Sequence, residues 1–468
     1  MSDTQIEQSN ILISGKWVAS AGAESTDVKD PTRLQLIGRI ATCDAIEVGQ
    51  AIDAALASAS DWARVPVAEK RRLLVAISGR IRVQAQSLAE CLTRESGKAL
   101  IESYESVLAV AERFEQPDAV SPHRARGVLS STVTVVLTPH TAPLLMMAHF
   151  VVPALMRGSS VVVKPPDQCP LSTIQLVQLM EDLPRGVVNL VTGGMNTGRC
   201  LIAHPHVTTV AFAGSDGVGK ALEATVTAAG KSFWGELGSI DGVMVCADSP
   251  LDQVIPTLIW SRLQNAGRSC VAAKRIYVER AVADEVMQRT HLYLADLEFG
   301  DPLLTSTDVG PLGSLAAIRR VEDQVAYSMK AGARLVVGGM RFRPAGLPGF
   351  FFQPTILADA PDSVKVMREE VLGPVFAMQT VDSVDSAMAS LSAAGLGRRI
   401  GVFTQDTERV RRLSMGAPDW ALWVNQPFTE AELFGVTPRR VSTTVPECGL
   451  PSAGFPYKKR PMPDRRAT

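Results

Sequence analysis

Short runs of β-branched and other apolar residues alternate with helical segments through the middle of the chain. In the first half these runs are residues 133–137, 161–163, 187–191 and 208–212, and they lack polar alternation. Strands of that kind are buried on both faces, as in a parallel sheet covered by helices. The pattern therefore predicts a doubly wound α/β domain, a fold that binds nucleotides at the carboxyl ends of its strands.

The rest of the chain has other patterns. Before residue 115 the apolar positions predict one short strand, residues 11–18, and then helices, the first capped by Asp44 and the second starting after Pro66. After Gly242 a second alternating block predicts another α/β domain. Its predicted strands are residues 243–246, 275–278, 335–337, 375–379, 401–403 and 422–425. Residues 437–468 are rich in proline, arginine and serine, which predicts loop and extended tail.

Composition narrows the class of protein. With 468 residues the chain is too long for a single hydrophobic core. Its 47 basic and 48 acidic residues argue against the concentrated basic face that a nucleic-acid partner needs. The polar N-terminus does not resemble a secretory signal. The longest apolar stretch, residues 142–156, is shorter than the ~20 residues of a membrane span. We therefore expect a cytoplasmic protein without a membrane partner.

Two segments carry candidate chemistry. Cys270 follows a glycine turn in residues 265–273 (NAGRSCVAA), where small neighbours leave room for a substrate at the sulfur. Glu236 lies between apolar neighbours in residues 234–238 (WGELG), where burial would raise the pKa of a carboxyl group and suit it to act as a general base. Taken alone, a single cysteine is more often structural, and such a glutamate is more often a surface residue. The seven cysteines form no Cys-x-x-Cys pair and the histidines no zinc spacing, so we predict neither disulfides nor a metal.

Together and in this order, the two segments resemble the aldehyde dehydrogenase superfamily. Other segments extend the resemblance over nearly the whole chain. They are residues 13–18 (ISGKWV), 93–98 (TRESGK), 161–167 (VVVKPPD), 212–219 (FAGSDGVG), 369–375 (EEVLGPV) and 401–404 (GVFT). Each match is weak by itself, but their common order indicates the family.

The resemblance implies a chemistry. Cys270 would be the nucleophile that attacks the aldehyde carbon and later carries a thioester. Glu236 would activate the water that releases the acid, which argues against the branch of the family that acylates coenzyme A. Thr141 stands where the family usually has an asparagine that donates to the oxyanion. Losing such a donor typically costs roughly 2.7–4 kcal/mol.

The resemblance also implies a nicotinamide cofactor. Lys164 would hold the adenosine ribose, and the carboxylate of Asp167 would favour NAD by disfavouring a 2′-phosphate, although NADP stays open. A helix start in residues 212–219 would receive the pyrophosphate. Glu370 would hold the nicotinamide ribose. The full set implied for the cofactor is Lys164, Asp167, Gly214, Ser215, Gly219, Leu237, Glu370 and Leu372.

The domain organisation follows from the same resemblance: a Rossmann-like NAD-binding domain, a second α/β catalytic domain and a small oligomerisation segment. We expect the NAD(P)-binding domain in residues 1–110 and 131–238 and the catalytic domain in residues 239–436. Residues 111–130 and 437–468 would be shortened bridging or oligomerisation segments. The expected assembly is a homodimer or homotetramer.

Several positions depart from the family. Besides Thr141, Leu372 replaces a phenylalanine, and Arg268 stands where a glutamine is common and would suit an acidic substrate. Residues 149–155 and 186–194 resemble the succinylglutamate-semialdehyde dehydrogenase branch, which predicts an acidic semialdehyde as substrate. The alternative is a catalytically impaired relative that retains nucleotide binding or a role in assembly. A nucleotide-binding regulator of another family would need a different order of segments.

Overall fold

A computed structural model describes residues 7–22, 24–117, 132–393, 399–416 and 420–426 of the chain. The chain divides into two compact units, Met1–Gly238 (unit 1) and Ser239–Thr468 (unit 2). Of the predicted bridging segments, residues 118–130 and 437–468 lie outside the described residues, whereas residues 111–115 complete a helix. Among the described residues, the structure has no helix with the length and apolar character that a bilayer crossing requires.

Unit 1 is built on a doubly wound sheet. Its strands are β1 (Glu7–Ser9), β2 (Ile11–Ile13), β3 (Lys16–Val18), β4 (Ser25–Lys29), β5 (Leu36–Ala41), β6 (Val133–Leu137), β7 (Ser160–Lys164), β8 (Val188–Leu190), β9 (Val207–Gly214) and β10 (Ser232–Leu237). Its helices are α1 (Ala45–Arg64), α2 (Val67–Val83), α3 (Ala85–Ser96), α4 (Leu100–Glu115), α5 (Pro143–Met156), α6 (Leu171–Gln178), α7 (Met195–Ala203) and α8 (Asp216–Ala228).

The main sheet of unit 1 has the strand order β10-β9-β6-β7-β8-β2-β3. From β10 to β8 neighbouring strands are parallel, and β6 and β7 are buried almost throughout. This confirms the predicted doubly wound sheet. Helix α1 begins as predicted, because the Asp44 side chain accepts from the Glu47 N–H while the Glu47 side chain accepts from the Asp44 N–H.

The N-terminal region contradicts its prediction of one strand followed by helices. Residues 11–18 form two antiparallel strands, β2 and β3, joined by a turn at Ser14 and Gly15, which have φ values of 50° and 72°. Strand β5 then pairs with both β1 and β4 in a separate sheet of order β1-β5-β4. Strand β4 has the sequence STDVK, in which Val28 alone is buried. Such a strand has no apolar periodicity to detect.

Unit 2 repeats the α/β plan. Its strands are β11 (Gly242–Val245), β12 (Arg275–Glu279), β13 (Arg334–Val337), β14 (Thr355–Ala358), β15 (Val375–Val381), β16 (Arg399–Phe403) and β17 (Ala421–Val424). Its helices are α9 (Leu251–Gly267), α10 (Ala283–Ala295), α11 (Leu315–Lys330), α12 (Lys365–Arg368), α13 (Val384–Ala393) and α14 (Thr407–Gly416). Two short 3₁₀ turns are Arg280–Val282 and Pro344–Gly346.

The sheet of unit 2 has the order β13-β14-β15-β12-β11-β16-β17 and is parallel except between β13 and β14. The six predicted strands are present. The sequence pattern does not predict β14, a four-residue strand that is fully buried. The core of the unit packs Ile255, Leu258 and Ile259 of α9 against sheet residues such as Ile276 and Phe376. The cysteine segment therefore follows a helix that is anchored in this core.

Candidate active site

The candidate residues of unit 1 lie at or just beyond the carboxyl ends of parallel strands. Lys164 ends β7, Gly214 ends β9, and Glu236 and Leu237 end β10. Thr141 lies between β6 and α5 and is half-buried. Because parallel strands present their carboxyl ends at one edge of a sheet, this is the edge at which such folds bind ligands.

Glu236 is more exposed than its apolar neighbours predict. Among the described strands, β10 lies at the edge of its sheet and pairs with β9, and the Glu236 side chain is 39% exposed. The expectation of a buried carboxyl group is therefore wrong. His149 on α5 places its Nε2 atom 3.3 Å from the Glu236 Oε1 atom, and the His149 side chain is only 11% exposed. The histidine ring also packs against Phe150 and Trp234. A mostly buried imidazole thus contacts the candidate base.

Lys164 and Asp167 contact each other. The Lys164 Nζ atom donates to Asp167 Oδ1 at 3.1 Å and to the Pro165 carbonyl at 3.0 Å. The lysine side chain is 12% exposed and the aspartate 35%. A Cβ atom at Gly194, the residue before α7, would lie 3.4 Å from Asp167 Oδ2. The two side chains suit a ribose with hydroxyl groups, since one donates and the other accepts.

The glycine turn packs closely against β10. Gly214 pairs with Leu237, and its carbonyl accepts from the Gly238 N–H at 2.9 Å. A Cβ atom at Gly219 on α8 would lie 2.0 Å from the Leu237 Cδ2 atom, so a larger residue would require that side chain to shift. The Ser215 side chain makes no capping hydrogen bond at the start of α8. The first N–H groups of this helix therefore suit the phosphates of a dinucleotide.

The start of α8 also carries an acidic residue. Asp216 is its first residue, and Lys220 pairs with the Asp216 carboxylate at 2.9 Å. A carboxylate at a helix start competes with a phosphate for the same N–H groups and the same positive end of the helix. The ion pair with Lys220 offsets part of that competition.

In unit 2, Cys270 lies in residues 264–274, here called the cysteine loop. This tightly folded segment runs from the non-helical last turn of α9 to the start of β12. Asn265, Ala266 and Gly267 have positive φ values of 54°, 55° and 76°. A side chain at Gly267 would overlap the main chain of Gly373. Cys270 itself is partly buried and packs against the core of the unit. A left-handed backbone conformation at an alanine such as Ala266 costs conformational free energy. This loop therefore keeps its shape only because the surrounding residues hold it.

Two buried arginines hold the cysteine loop. Arg262 donates to the carbonyls of Gly267 (3.0 Å), Val371 (3.1 Å), Gly373 (2.6 Å) and Val375 (2.6 Å). Burial lowers the pKa of Arg262 to about 9. Arg268 is 1% exposed, and its guanidinium donates to the carbonyl and the side-chain oxygen of Asn265. Because Arg268 is buried and makes these two hydrogen bonds, a role in holding the loop is favoured, and contact with a substrate is not.

Glu370 lies beside a lysine that the sequence analysis did not identify. Its side chain is 15% exposed, and its Oε1 atom is 3.3 Å from the Nζ atom of Lys274. Lys274 Nζ also donates to the carbonyl of Cys270 at 2.8 Å. Leu372 is half-buried two residues further on. The glutamate implied for the cofactor and the candidate nucleophile are thus linked through one ammonium group.

The chain was then compared with known proteins. The profile of the Aldehyde dehydrogenase family matches residues 17–436. The chain belongs to this family. Succinate-semialdehyde dehydrogenase (NADP(+)) of Escherichia coli strain K12 is 30% identical over 430 residues, which cover 88% of this chain and 89% of that protein. D-glyceraldehyde dehydrogenase (NADP(+)) of Thermoplasma acidophilum is 29% identical over 440 residues, covering 90% and 89%.

Solved structures of the family have the same fold. The crystal structure of lactaldehyde dehydrogenase from Escherichia coli superposes with a TM-score of 0.84 at 27% identity, covering 90% of this chain and 91% of that one. Family membership confirms the predicted superfamily, fold class and enzyme class. The roles of the individual site residues and the domain roles stay predictions.

The sequence pattern does not mark His149, Arg262 or Lys274 as site residues. Each is a basic or titratable residue, and of the three His149 lies inside an otherwise apolar run. Such a residue is buried only when it has partners, and those partners lie far away in the sequence.

The structure also groups three potential metal ligands in unit 1. Asp53, His204 and His206 bring one ligand atom each to within 4.8 Å of the others. Asp53 and His206 are exposed, and exposed groups of this kind are common without an ion. We assign no metal to this group. The six cysteines in the described part of the chain are free, and Cys43, Cys169 and Cys246 are buried.

Proposed function

We propose that the protein oxidises an aldehyde to the carboxylic acid with NAD(P)+, through a thioester on Cys270. The observation that carries the proposal is the construction of the cysteine loop. A buried arginine, a buried lysine and three left-handed residues hold it, while Cys270 remains partly accessible. Strain of this kind concentrates at functional sites. A cysteine that served only to fill the core would not need such a loop.

The proposed chemistry has two halves. The Cys270 thiolate would attack the aldehyde carbon, and the carbonyl oxygen would become an oxyanion. NAD(P)+, when bound, supplies the acceptor for the hydride that leaves this carbon. Glu236 would then take a proton from water, the water oxygen would bond to the thioester carbon, and the carbon–sulfur bond would break to release the acid. Thr141 would donate to the oxyanion, with the Cys270 N–H as a second donor.

The proposed cofactor contacts follow the resemblance to the family. Lys164 and Asp167 would bind the adenosine ribose, and the start of α8 at Ser215 the pyrophosphate, with Gly214, Gly219 and Leu237 shaping that turn. Glu370 and Leu372 would contact the nicotinamide ribose. In this proposal unit 1 is the NAD(P)-binding domain and unit 2 the catalytic domain.

NAD is the preferred cofactor in this proposal. Asp167 presents a carboxylate where a 2′-phosphate would lie, and like charges repel. Two of the relatives carry NADP(+) in their names, and the Lys164–Asp167 pair offsets part of the negative charge. We expect NAD to have the lower KM and NADP to be used more slowly, which parallel assays with the two cofactors measure directly.

The proposed substrate class is an acidic semialdehyde, with succinylglutamate semialdehyde as the specific candidate. The similarity to a succinate-semialdehyde dehydrogenase supports an acidic substrate. Arg268 was the candidate contact for its carboxylate, but it is buried against Asn265. The proposal on substrate therefore rests on resemblance. A homodimer or homotetramer is the proposed assembly, and light scattering on the purified protein would measure it.

The testing experiment follows NADH formation with succinylglutamate semialdehyde, succinate semialdehyde and an aliphatic aldehyde. Wild-type protein should turn over at least one of them, and Cys270→Ala should abolish that turnover. Cys200→Ala is the matched control, since Cys200 is a half-exposed free cysteine of unit 1. Turnover that survives in Cys270→Ala would contradict the proposal. Calorimetric binding of NAD without turnover of any aldehyde would instead support an impaired relative that retains nucleotide binding.

A further inference from the structure

Lys274 is a lysine with no exposed side-chain surface. Its side chain is 0% exposed, although lysine is among the residues that are least often fully buried. Its Nζ atom donates to the carbonyls of Ser269 at 3.2 Å and Cys270 at 2.8 Å and lies 3.3 Å from Glu370 Oε1. Two carbonyl oxygens thus accept hydrogen bonds from the ammonium group, and a carboxylate lies at ion-pair distance.

The charges around Lys274 have opposing effects. Burial lowers the pKa of Lys274, whereas the negative charges of Glu370, Asp241 and the Cys270 thiolate raise it. The buried Arg262 acts in the same direction as burial. The interaction with Cys270 is reciprocal, because a cation that is favoured by a nearby thiolate also favours that thiolate.

Other contacts fix the same part of the loop. The Ser239 hydroxyl lies 3.4 Å from the Cys270 carbonyl and 2.6 Å from Asp241 Oδ2. The Lys274 N–H donates to the Asp241 carbonyl at 3.1 Å. Asp241 in turn pairs with Arg399 at 2.9 Å. The Ser239 hydroxyl and the Lys274 ammonium group thus both lie near the Cys270 carbonyl, and of the two groups only Lys274 carries a positive charge.

We propose that Lys274 is a positioning residue for the nucleophile: its ammonium group fixes the Cys270 main chain and stabilises the Cys270 thiolate, with Glu370 as counterion. The proposal rests on the proposed role of Cys270. It adds a residue that touches neither aldehyde nor cofactor. It also explains why a lysine is tolerated in a fully buried position.

The test measures the reactivity of Cys270 without turnover. Iodoacetamide labels the protein from pH 5 to pH 10, and mass spectrometry gives the labelling rate of the Cys270 peptide. The variants are Lys274→Met, Lys274→Gln and Lys274→Arg. Glutamine keeps a hydrogen-bond donor without the charge, whereas arginine keeps the charge. The Cys200 peptide in the same samples is the internal reference, and faster labelling of that peptide would report unfolding.

We expect the methionine and glutamine variants to move the labelling midpoint upward and to label Cys270 roughly tenfold more slowly at pH 7, which corresponds to about one pH unit. The arginine variant should stay near wild type. If Lys274 served only to hold the main chain by hydrogen bonds, the glutamine variant, which keeps a donor, should show the smallest shift of the labelling midpoint. The proposal is overturned if no variant moves the midpoint or if all three move it equally.

Wild-type protein gives a test that does not depend on the stability of the variants. Its midpoint should lie below about pH 8.5, the ordinary range of a free thiol, and a midpoint at or above that value would contradict the proposed effect of Lys274. Turnover assays separate this outcome from a failure of the proposed function. Turnover that persists in Cys270→Ala refutes the nucleophile, whatever the labelling shows.

Discussion

The candidate base and the candidate nucleophile are held in opposite ways. Glu236 lies on a strand at the edge of the described sheet with a side chain that is 39% exposed, and His149 contacts it. Cys270 lies in a loop that buried Arg262 and Lys274 hold through its carbonyls. The protein therefore places one candidate group at a partly exposed sheet edge and the other in a loop that buried side chains hold.

The difference bears on what each group must do. A base that exchanges protons with water needs access to water, so exposure at a sheet edge suits Glu236. A nucleophile needs a fixed position and a stabilised thiolate, which buried main-chain contacts provide. We therefore expect substitutions at the sheet edge to change rates with little effect on folding. Substitutions in the cysteine loop should change both.

The largest effect is expected from Arg262→Met. It removes the donor from four buried carbonyls, and each acceptor left without a partner costs about 1 kcal/mol or more, so we expect roughly 3–5 kcal/mol of destabilisation. Urea unfolding of the full chain measures it. Arg334→Met is the control, because Arg334 forms an exposed ion pair with Asp359 and should change stability by less than about 1 kcal/mol. Equal losses of unfolding free energy in the two variants would show that Arg262 stabilises the protein no more than an exposed ion pair does.

Glu236→Gln should show the opposite behaviour. Loss of a general base typically lowers the rate by about 10²–10⁴, while the exposed side chain predicts an unchanged midpoint of thermal unfolding. Rapid-mixing kinetics should retain a burst of NADH of about one equivalent, because only release of the acid is slowed. A variant that loses both the burst and its thermal stability would show that Glu236 supports the structure rather than the water step.

The fold was predictable where burial is uniform. The runs of β6, β7 and β11 are mainly apolar on both faces, so the sequence alone indicated buried parallel strands. The pattern failed at β4, which is mostly polar, and at the hairpin of β2 and β3. There a turn at Ser14 and Gly15 separates two apolar stretches, and apolar periodicity does not distinguish a bent strand from a straight one.

The site was predictable as a set of motifs but not as a set of contacts. Glu370 and Cys270 were identified from local segments. Their link through Lys274 depends on a salt bridge that spans 96 positions, and Arg262 bonds to carbonyls as much as 113 positions away. Burial of a charged residue is decided by such partners, so no local pattern reveals it. The exposure of Glu236 likewise depends on its place at the sheet edge.

A smaller effect, an increase in kcat, is expected from Thr141→Asn. The residue precedes α5 and is half-buried, and an amide reaches further than a hydroxyl towards an oxyanion. We expect kcat to rise by roughly 10-fold with no loss of thermal stability. Steady-state assays with the preferred aldehyde measure the change, and Thr141→Val, which has no donor, serves as the opposite control. If the valine variant equals wild type, Thr141 does not donate to the oxyanion.

The smallest effect is expected from His149→Phe, which isolates the contact between the imidazole and the candidate base. Phenylalanine preserves the ring packing against Phe150 and Trp234 but removes the nitrogen that lies 3.3 Å from Glu236. A hydrogen bond of this kind is worth about 1 kcal/mol, so kcat should fall roughly 3- to 10-fold. The same substitution in a Glu236→Gln background should have almost no effect on the residual rate, because the carboxylate is no longer there to orient. An equal loss in both backgrounds would mean that His149 acts through packing rather than through its contact with the carboxylate.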